Sequence, residues 1–375
     1  MTLPRRQWLA ACASLSLSPL ATSALAQTPP PAQSRGFDPR PGAWRGTELI
    51  TQLQVRDPRG RTVAWVPLPS VQADDWQRVD GHQWSGNARR VQLLSDGRYG
   101  ARLLRAEFEP GTPEPTLRVT SQVWTRDRRT DWDAARPAPE AAQDLRTWLQ
   151  PTELMPTDGI VRRTALQAVG SATNDRDKVQ ALYDWVVSRT YREPKVRGCG
   201  TGDVKTMLET ENFGGKCGDI NGLFVALCRA AGIPARDVYG IRTAPSAFGW
   251  RELGANPARL QAAQHCRAEV HLQAHGWVPM DPADVGKVMR QETPEWIRDP
   301  AHPFVQPVRR GLFGGWEGNW VAYNTAHDVK LPGSSGPALG FLMYPQVEND
   351  HGRYDPLDPD GVAYLIQSRA LDPRA

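Results

Sequence analysis

The sequence predicts an α+β fold, with an all-β, sandwich-like domain followed by a domain in which helices precede an antiparallel sheet. Short segments of alternating polarity, separated by turn residues, fill the region 48–133. Helical spacing followed by strand-like segments fills the region 143–335. At 375 residues the chain is long enough for two such domains. The remaining segments are predicted as an export signal at 1–26, a flexible leader at 27–47, a linker at 134–142 and a C-terminal extension at 336–375.

The composition is that of a soluble globular protein, with 40% hydrophobic and 23% charged residues. The net charge of +4 is small, and no basic stretch with interleaved aromatic residues occurs, so nucleic acid is not an expected partner. Beyond the first 26 residues no apolar run is long enough to span a bilayer. The composition therefore favours an enzyme or a binding protein of the aqueous phase.

The first residues have the pattern of an export signal. Arg5-Arg6 precede an apolar stretch, and Ala24-Leu25-Ala26 provide a small-x-small cleavage site. Paired arginines indicate the twin-arginine type, with an ordinary secretory signal as the alternative. Cys12 lies in a segment similar to a lipoprotein box, but it precedes most of the apolar stretch, which disfavours lipidation. We therefore expect the mature protein in the periplasm or outside the cell.

The first domain is predicted from strand and turn patterns. Segments 49–55, 62–66 and 117–124 alternate apolar and polar side chains, as half-buried strands do. Turn residues such as those at 57–60 separate them. Two prolines in 134–142 mark the linker to the next domain.

The second domain is predicted to begin with helices. Asn174 or Asp175 can cap a helix whose apolar residues recur at spacings of three and four. A second helix begins near Cys217, has an apolar stripe and ends at Gly232, two residues before Pro234. Strand-like segments follow at 236–241, 266–272 and 277–280.

Cys217 is the candidate nucleophile. It lies in the first turn of its predicted helix, where unpaired backbone N–H groups and the helix dipole favour the thiolate, the reactive form of cysteine. Gly214 and Gly215 leave room for a substrate backbone. The alternative is a buried cysteine acting as a small apolar residue, which a position directly after a glycine pair disfavours.

His265 and Asp281 are the candidate base and its orienting partner. His265 begins one predicted strand, Asp281 ends the next, and a turn-prone segment at 274–276 lies between them. A hairpin that bends there brings the two side chains onto neighbouring strands, and a nucleophilic cysteine requires such a pair.

The other histidines are expected to be structural. His271 lies about 20 Å along the strand from His265, at ~3.3 Å per residue, and His275 and His327 lie in a turn and far downstream. No pair of these histidines has metal-ligand spacing with a cysteine or an aspartate, so a zinc site is not expected. Neither another metal nor a cofactor is expected. An acidic segment at 355–361 faintly resembles a calcium loop but lacks its final glutamate.

These residues resemble the bacterial transglutaminase-like family, a branch of the papain-like fold in which a helix-start cysteine faces an antiparallel sheet carrying histidine and aspartate. The resemblance extends over 177–285. It implies Cys217 as nucleophile, His265 as base and Asp281 as its partner. The chain departs from the pattern at Arg267, where the family often has tryptophan. The matching segments are GKCGD (215–219), LFVAL (223–227), GIPAR (232–236), HCRAEV (265–270) and GWVPMDP (276–282).

The residues predict an acyl transfer through a thioester. The thiolate would attack an amide carbonyl of a protein or peptide substrate, the Cys217 N–H would help to hold the oxyanion, and His265 would protonate the leaving amine. A second oxyanion donor is required, for which Tyr191, Asn212 and Trp185 are candidates. Water as acceptor gives a peptidase or amidase, and an amine gives a cross-linking transamidase. A non-catalytic binding module that retains the fold is the third interpretation.

Cysteine spacing leaves the redox state open. Cys228 falls on the buried stripe of its helix. Cys199 lies in a glycine-flanked loop from which it could reach Cys266, and one hypothesis is therefore a Cys199–Cys266 disulfide. The alternative is that these cysteines and Cys228 are unpaired thiols, since connectivity does not follow from sequence.

Overall fold

Strands dominate both ends of the chain and helices its middle, in the part that the computed structural model describes, residues 35–134 and 142–372. The strands are β1 (Arg45–Val55), β2 (Thr62–Pro67), β3 (Gln77–Gly86), β4 (Arg90–Ser95), β5 (Arg102–Phe108), β6 (Thr116–Thr125), β7 (Arg128–Arg129), β8 (Tyr191–Arg192), β9 (Gly214–Gly215), β10 (Ala235–Arg242), β11 (Gln264–Leu272), β12 (Gly276–Met280), β13 (Gly315–Trp316), β14 (Trp320–Asn324), β15 (His327–Val329), β16 (Leu339–Phe341), β17 (Gln346–Asn349), β18 (Gly352–Arg353) and β19 (Val362–Leu371). The α-helices are α1 (Ala142–Leu145), α2 (Gly159–Val169), α3 (Asp175–Arg189), α4 (Val204–Glu209), α5 (Cys217–Ala230), α6 (Pro282–Lys287) and α7 (Gln306–Gly311). The expected signal, 1–26, and residues 135–141 of the expected linker lie outside the described residues.

The predicted sandwich is confirmed. Two antiparallel sheets, with strand orders β19-β1-β6-β3 and β18-β17-β2-β5-β4, share one apolar core. Leu53 and Leu117 of the first sheet and Leu104 and Val347 of the second are each at most 2% exposed in that core. The alternating segments of the sequence lie in β1, β2 and β6. In most of β6 the period-two pattern reflects one face packed inward and one more exposed face, whereas all six residues of β2 are buried.

The C-terminal residues complete both sheets of the sandwich. β19 pairs with β1 from Gly46 opposite Leu371 to Val55 opposite Val362. β17 pairs with β2 at the edge of the other sheet. Residues of the segment 336–375, expected from the sequence to be an extension, therefore form edge strands of the N-terminal domain.

A third antiparallel sheet, with strand order β12-β11-β10-β14, supports helix α5. α5 is buried along its whole length, because β10 and β11 lie against it together with α2 and α3. Its predicted apolar residues Ile220, Leu223, Phe224 and Leu227 are all 0% exposed. This arrangement confirms the α+β prediction and sets the first residue of α5 against the sheet.

Among the described residues, no helix combines the length and apolar character needed to cross a bilayer.

Candidate active site

Cys217 is the first residue of α5, as the sequence predicts. A helix has no internal acceptor for the N–H groups of its first turn, so this end attracts negative charge. Asp219 ties the preceding loop to the helix start. Its carboxylate accepts hydrogen bonds from the backbone N–H groups of Lys216, Thr201 and Gly202, each at 2.9 Å.

Gly200 allows that loop to pass close to the helix. Its φ is +89°, and a Cβ there would lie 1.8 Å from an Asp219 carboxylate oxygen. Both the backbone conformation and the available space therefore require glycine. The neighbouring carbonyl of Cys199 accepts a hydrogen bond from the Gly218 N–H at 2.8 Å, which fixes Cys199 beside Cys217.

His265 and Asp281 lie on the predicted hairpin. β11 pairs with β12 up to Leu272 opposite Gly276, and Asp281 follows the last residue of β12. His265 Nε2 is 2.7 Å from Asp281 Oδ2. The other nitrogen, Nδ1, remains for Cys217, with which the imidazole is in hydrogen-bond contact. The structure therefore brings the three sequence-predicted residues together.

Asn221 holds Asp281 in place. It lies one turn after Cys217 on α5 and is fully buried. Its Nδ2 donates to Asp281 Oδ1 at 3.2 Å, and the same oxygen accepts from the Asp284 N–H at 3.1 Å. One helix thus positions both the thiol and the carboxylate at the far end of the triad.

Asp284 is a second carboxylate at the imidazole. Its Oδ2 lies 3.4 Å from His265 Nε2, and Arg242 contacts both of its oxygens, at 2.5 and 2.7 Å. Burial opposes the ionised form, but Arg242 lowers the pKa of Asp284 well below its usual value. Burial and Arg242 also act to lower the pKa of His265, and Asp284 and Asp281 outweigh them, so that this pKa is raised.

The thiol of Cys217 has a pKa well below its ordinary value. Hydrogen bonds from the thiols of Cys199 and Cys266 are the main causes, burial opposes them, and His265 adds a further lowering. The hydrogen bond to Cys217 is the main factor that raises the pKa of Cys199, and burial raises that of Cys266. The thiols of Cys199 and Cys266 therefore favour the thiolate form of Cys217, and the imidazole of His265 favours it further.

The hypothesis of a Cys199–Cys266 disulfide is wrong for this structure. All four cysteines of the described residues are free thiols. Cys199 and Cys266 each contact the Cys217 sulfur, and Cys199 Sγ is also 3.4 Å from the carbonyl oxygen of Gln264. The two thiols are separate donors to the nucleophile rather than partners of each other.

A cleft of about 390 Å³ opens at Cys217 and His265. That volume lies within the range of small-ligand pockets. Among the described residues, the cleft lining does not include Trp185, Tyr191 or Asn212, the sequence candidates for the second oxyanion donor. The rings of Trp185 and Tyr191 instead pack on other aromatic residues. The lining residues are Arg192, Gly198, Cys199, Lys216, Cys217, Arg242, Gly254, Ala255, Asn256, Arg259, Gln261, Ala262, Ala263, Gln264, His265, Lys287, Tyr344 and Leu357.

Arg267, the departure from the family pattern, is buried outside the cleft lining. Its guanidinium lies over the rings of Trp320 and Trp316, 4.7 and 5.2 Å from their centroids, and donates to the carbonyl of Glu317 at 2.9 Å. Its Nε is 3.7 Å from Asp281 Oδ2. Burial lowers the pKa of Arg267 to about 10, so it remains a cation near Asp281 at neutral pH.

The other histidines lie apart from the cleft lining. His271 and His275 pack edge-on against Trp277 and Trp132. The ring of His327 is buried, with Nδ1 3.2 Å from the Tyr239 hydroxyl. Of the sequence-predicted histidines, only His265 is placed at the thiol within the described residues.

One set of side chains offers metal-type ligand atoms. Those of His265, Asp281 and Asp284 lie within 4.8 Å of one another. Arg242 occupies both oxygens of Asp284, and His265 Nε2 is bonded to Asp281, so cationic groups already compensate these carboxylates. The sequence-based expectation of a site without a metal remains a prediction.

Sequence reasoning missed Asn221, Asp284, Arg242 and the thiol contacts. Asn221 carried a usable signal, because it is a polar residue four positions after Cys217 in an otherwise apolar helix. Asp284 follows Asp281 by three residues, a spacing that places its N–H at the cap carboxylate. Arg242 and Cys199 carried no comparable signal, because they reach the site from distant parts of the chain.

The family comparison agrees with this geometry. The model of the transglutaminase-like superfamily matches residues 162–282, a range that contains Cys217, His265 and Asp281. The chain belongs to the transglutaminase-like superfamily. A protein of Haemophilus influenzae that is described as uncharacterized is 35% identical over 340 residues, which cover 87% of this chain and 90% of that protein. The similarity thus extends well beyond the matched domain into the sandwich.

One solved structure shares the fold of this chain. A crystal structure from Cytophaga hutchinsonii, described as that of a candidate cysteine protease, covers 89% of this chain and 93% of its own, with a TM-score of 0.53 and 16% identity. The periplasmic domain of TgpA from Pseudomonas aeruginosa matches at 18% identity over 70% of this chain and 97% of its own, with a TM-score of 0.35, too low to establish a shared fold. The Cytophaga likeness therefore extends to the fold and not to the reaction.

Proposed function

We propose that this protein hydrolyses peptide or amide bonds through a thioester on Cys217, with His265 as the acid–base group and Asp281 as its orienting partner. The observation that carries the proposal is the chain of contacts from the Cys217 thiol to His265 and from His265 Nε2 to Asp281 at 2.7 Å, next to an open cleft. A nucleophile, a base and an orienting group in contact are the requirements of covalent acyl transfer.

The protonation states fit the first half of the reaction. The lowered pKa of Cys217 supplies a thiolate that attacks the carbonyl carbon, while the N–H of Cys217 at the helix start donates to the developing oxyanion. The raised pKa of His265 keeps a proton on Nδ1, which passes to the leaving amine as the C–N bond breaks. The products of this step are a free amine and a thioester.

The second half of the reaction restores the enzyme. The neutral imidazole of His265 takes a proton from water, the hydroxide attacks the thioester carbonyl, and the C–S bond breaks to release an acid. Asp281 keeps Nε2 protonated, so that Nδ1 is the basic nitrogen in this step. The thiolate and the imidazolium are then regenerated.

Water is favoured over an amine as acceptor by the charge of the cleft. The described lining contains five cationic side chains and no aspartate or glutamate. Amines are protonated at neutral pH, and such a lining repels them. A transamidase reaction therefore lacks an acceptor site here, whereas water enters regardless of charge.

The test is a product analysis. Glutaminyl peptides and a digest of mixed peptides are incubated with the protein, with and without a primary amine, and the products are analysed by mass spectrometry. We expect hydrolysed products that are absent with Cys217→Ala, and no amine adducts. Amine adducts in excess of hydrolysis would establish a transamidase, and identical results for wild type and Cys217→Ala would leave only the binding-module interpretation.

We propose further that the protein is exported to the periplasm, because Arg5-Arg6 and Ala24-Leu25-Ala26 have the pattern of a cleaved, twin-arginine-type signal. Cell fractionation and N-terminal sequencing test this. A mature chain that begins near Gln27 in the periplasmic fraction is expected. An intact Met1 in the cytoplasm would contradict it.

A further inference from the structure

The cleft at Cys217 is unusually rich in positive charge. Five cationic side chains line it, and two of them are compensated. Arg242 contacts both oxygens of the Asp284 carboxylate. Lys287 donates to the carbonyl of Glu252 at 2.7 Å and lies 3.4 Å from its carboxylate.

The remaining three, Arg192, Lys216 and Arg259, have no carboxylate within 4.0 Å among the described residues. The guanidinium of Arg192 contacts a neutral group, Gln291 Oε1, at 3.2 Å. The carboxylate of Asp219, next to the cleft, already accepts hydrogen bonds from three backbone N–H groups. Apart from the charge that Cys217 itself supplies, the cleft therefore presents three cations without an ion-pair partner among the described residues.

Such an arrangement is costly without a ligand. Arg192 and Lys216 are only partly exposed. Burial and then the nearby charge of Arg192 lower the pKa of Lys216, which shows that the two cations repel each other. An anion bound between them would relieve this repulsion, and arginine binds carboxylates with two parallel hydrogen bonds.

We propose that the substrate of Cys217 is an acidic peptide or amide, with a carboxylate close to the scissile bond that Arg192, Lys216 and Arg259 bind. The inference rests on the proposed function for its reaction and on the three uncompensated cations for its substrate class. The carboxylate is either an Asp or Glu side chain or a free C-terminus, since both offer the same chemistry to the cleft.

The first experiment measures anion preference without turnover. Cys217 is alkylated by iodoacetate or by iodoacetamide at pH 6 and low salt, and modification is followed by mass spectrometry. The two reagents differ in one negative charge. We expect the iodoacetate-to-iodoacetamide rate ratio of Cys217 to exceed that of glutathione about tenfold, and added salt to reduce it.

Charge variants show which residues produce the preference. The triple variant Arg192→Gln/Lys216→Gln/Arg259→Gln should lose the elevated ratio. The single variant Arg259→Gln, an exposed position with little risk to folding, should lose part of it. The matched control removes three exposed arginines of the sandwich, Arg56→Gln/Arg90→Gln/Arg118→Gln, and should keep the wild-type ratio. A ratio unchanged by Arg259→Gln and by the triple variant, or reduced equally by the control, would overturn the proposal.

The second experiment uses four peptides that pair Glu or Gln beside the scissile bond with a free or an amidated C-terminus. We expect kcat/KM to be about tenfold higher for a carboxylate-bearing peptide than for its neutral isostere. The comparison of side-chain and C-terminal carboxylates identifies the source of the charge. Turnover without any acid preference would overturn the substrate class and leave the hydrolase standing. If none of the four is turned over, the alkylation ratio decides the anion site, and the hydrolase proposal alone has failed.

Discussion

Strand β11 carries two largely buried charged clusters, and only one of them has a nucleophile in contact with it. At one end His265 contacts Asp281 at 2.7 Å and Asp284 at 3.4 Å. Four residues along the same strand, Glu269 contacts Arg128 and is 2.7 Å from Arg236. His265 and Glu269 are both buried, and the pKa of each is shifted.

The clusters differ in what completes them. Arginines packed on aromatic rings complete the Glu269 cluster. The guanidinium of Arg128 lies over Trp316 and Trp76, 4.8 and 5.0 Å from their centroids, and that of Arg236 lies 3.8 Å from the centroid of Trp277. Burial opposes ionisation of Glu269, yet the two arginines lower its pKa. The cluster at His265 has the thiol of Cys217 beside it, whereas the cleft of about 330 Å³ that Arg128 lines contains no cysteine among the described residues. Buried charge alone therefore does not identify a reactive site, whereas buried charge in contact with a thiolate at a cleft does.

Removing the nucleophile should have the largest effect on activity. Cys217→Ala should reduce kcat by about 10⁴-fold or more, because no other group forms the thioester. Its unfolding midpoint should stay close to wild type, since the change removes one sulfur at a cleft. A peptide-cleavage assay and thermal unfolding measure the two effects. Wild-type turnover by the variant would exclude Cys217 as nucleophile.

Exchanging single carboxylates tests the two clusters directly. Asp281→Asn should lower kcat by about 10² to 10⁴-fold by disturbing the orientation and charge of His265, with a small loss of stability. Glu269→Gln should instead reduce stability strongly and change kcat little. It leaves the buried Arg128 and the partly exposed Arg236 without their carboxylate and should cost about 3 kcal/mol in unfolding free energy. If Glu269→Gln were the inactive variant and Asp281→Asn only the less stable one, the assignment of the two clusters would be reversed.

The contacts of Cys199 and Cys266 with Cys217 give a smaller expected effect. With its pKa well below the ordinary value, Cys217 should react with iodoacetamide at a nearly constant rate from pH 6 to 8, while an ordinary thiol accelerates about tenfold per pH unit. Cys199→Ala or Cys266→Ala removes a donor to the thiolate, so the Cys217 pKa should rise and the alkylation profile should move to higher pH. Cys228→Ala is the matched control, because Cys228 is a buried core thiol outside this cluster. Equal profiles for all three variants would exclude the contacts as the cause.

A third buried carboxyl, Asp237 on the neighbouring strand β10, gives the smallest expected effect. Neither of its oxygens has a hydrogen-bond partner among the described residues, and burial raises its pKa to about 7. The unfolded chain loses this proton near pH 4 and the folded chain near 7, so stability falls as pH rises through that window. The Asp237→Asn variant has no carboxyl proton at this position, so its stability does not fall for this reason. Its unfolding free energy relative to wild type should therefore increase by on the order of 2 kcal/mol between pH 5 and pH 8, measured by denaturant unfolding. A difference independent of pH would show that Asp237 is ionised in the folded state.

Local patterns explain how much of the molecule could be predicted. Alternation predicted three strands of the sandwich, β1, β2 and β6, helical spacing predicted α5, and a turn between two strands placed His265 near Asp281, because each of these depends on neighbours in the chain. The pairing of β19 with β1 and the contacts of Arg242 and Cys199 join residues far apart in sequence. Such contacts produce no periodic pattern in the sequence from which they could be predicted. The hypothesis of a Cys199–Cys266 disulfide is wrong because the sequence does not record such contacts. It placed both thiols near the site, but it did not predict that each of them contacts Cys217.

The pairing of β1 with β19 also constrains the order of folding. Contacts such as that between Arg369 and Glu48 span 321 residues of sequence, so closing this sheet requires almost the whole chain. During synthesis β1 would have one free edge until the last strand emerges, although β6 can pair with its other edge earlier. Long-range strand pairing is slow and leaves exposed edges open to association. The sandwich is therefore expected to be the last part of the protein to become complete, after the helices that carry Cys217 have met their sheet.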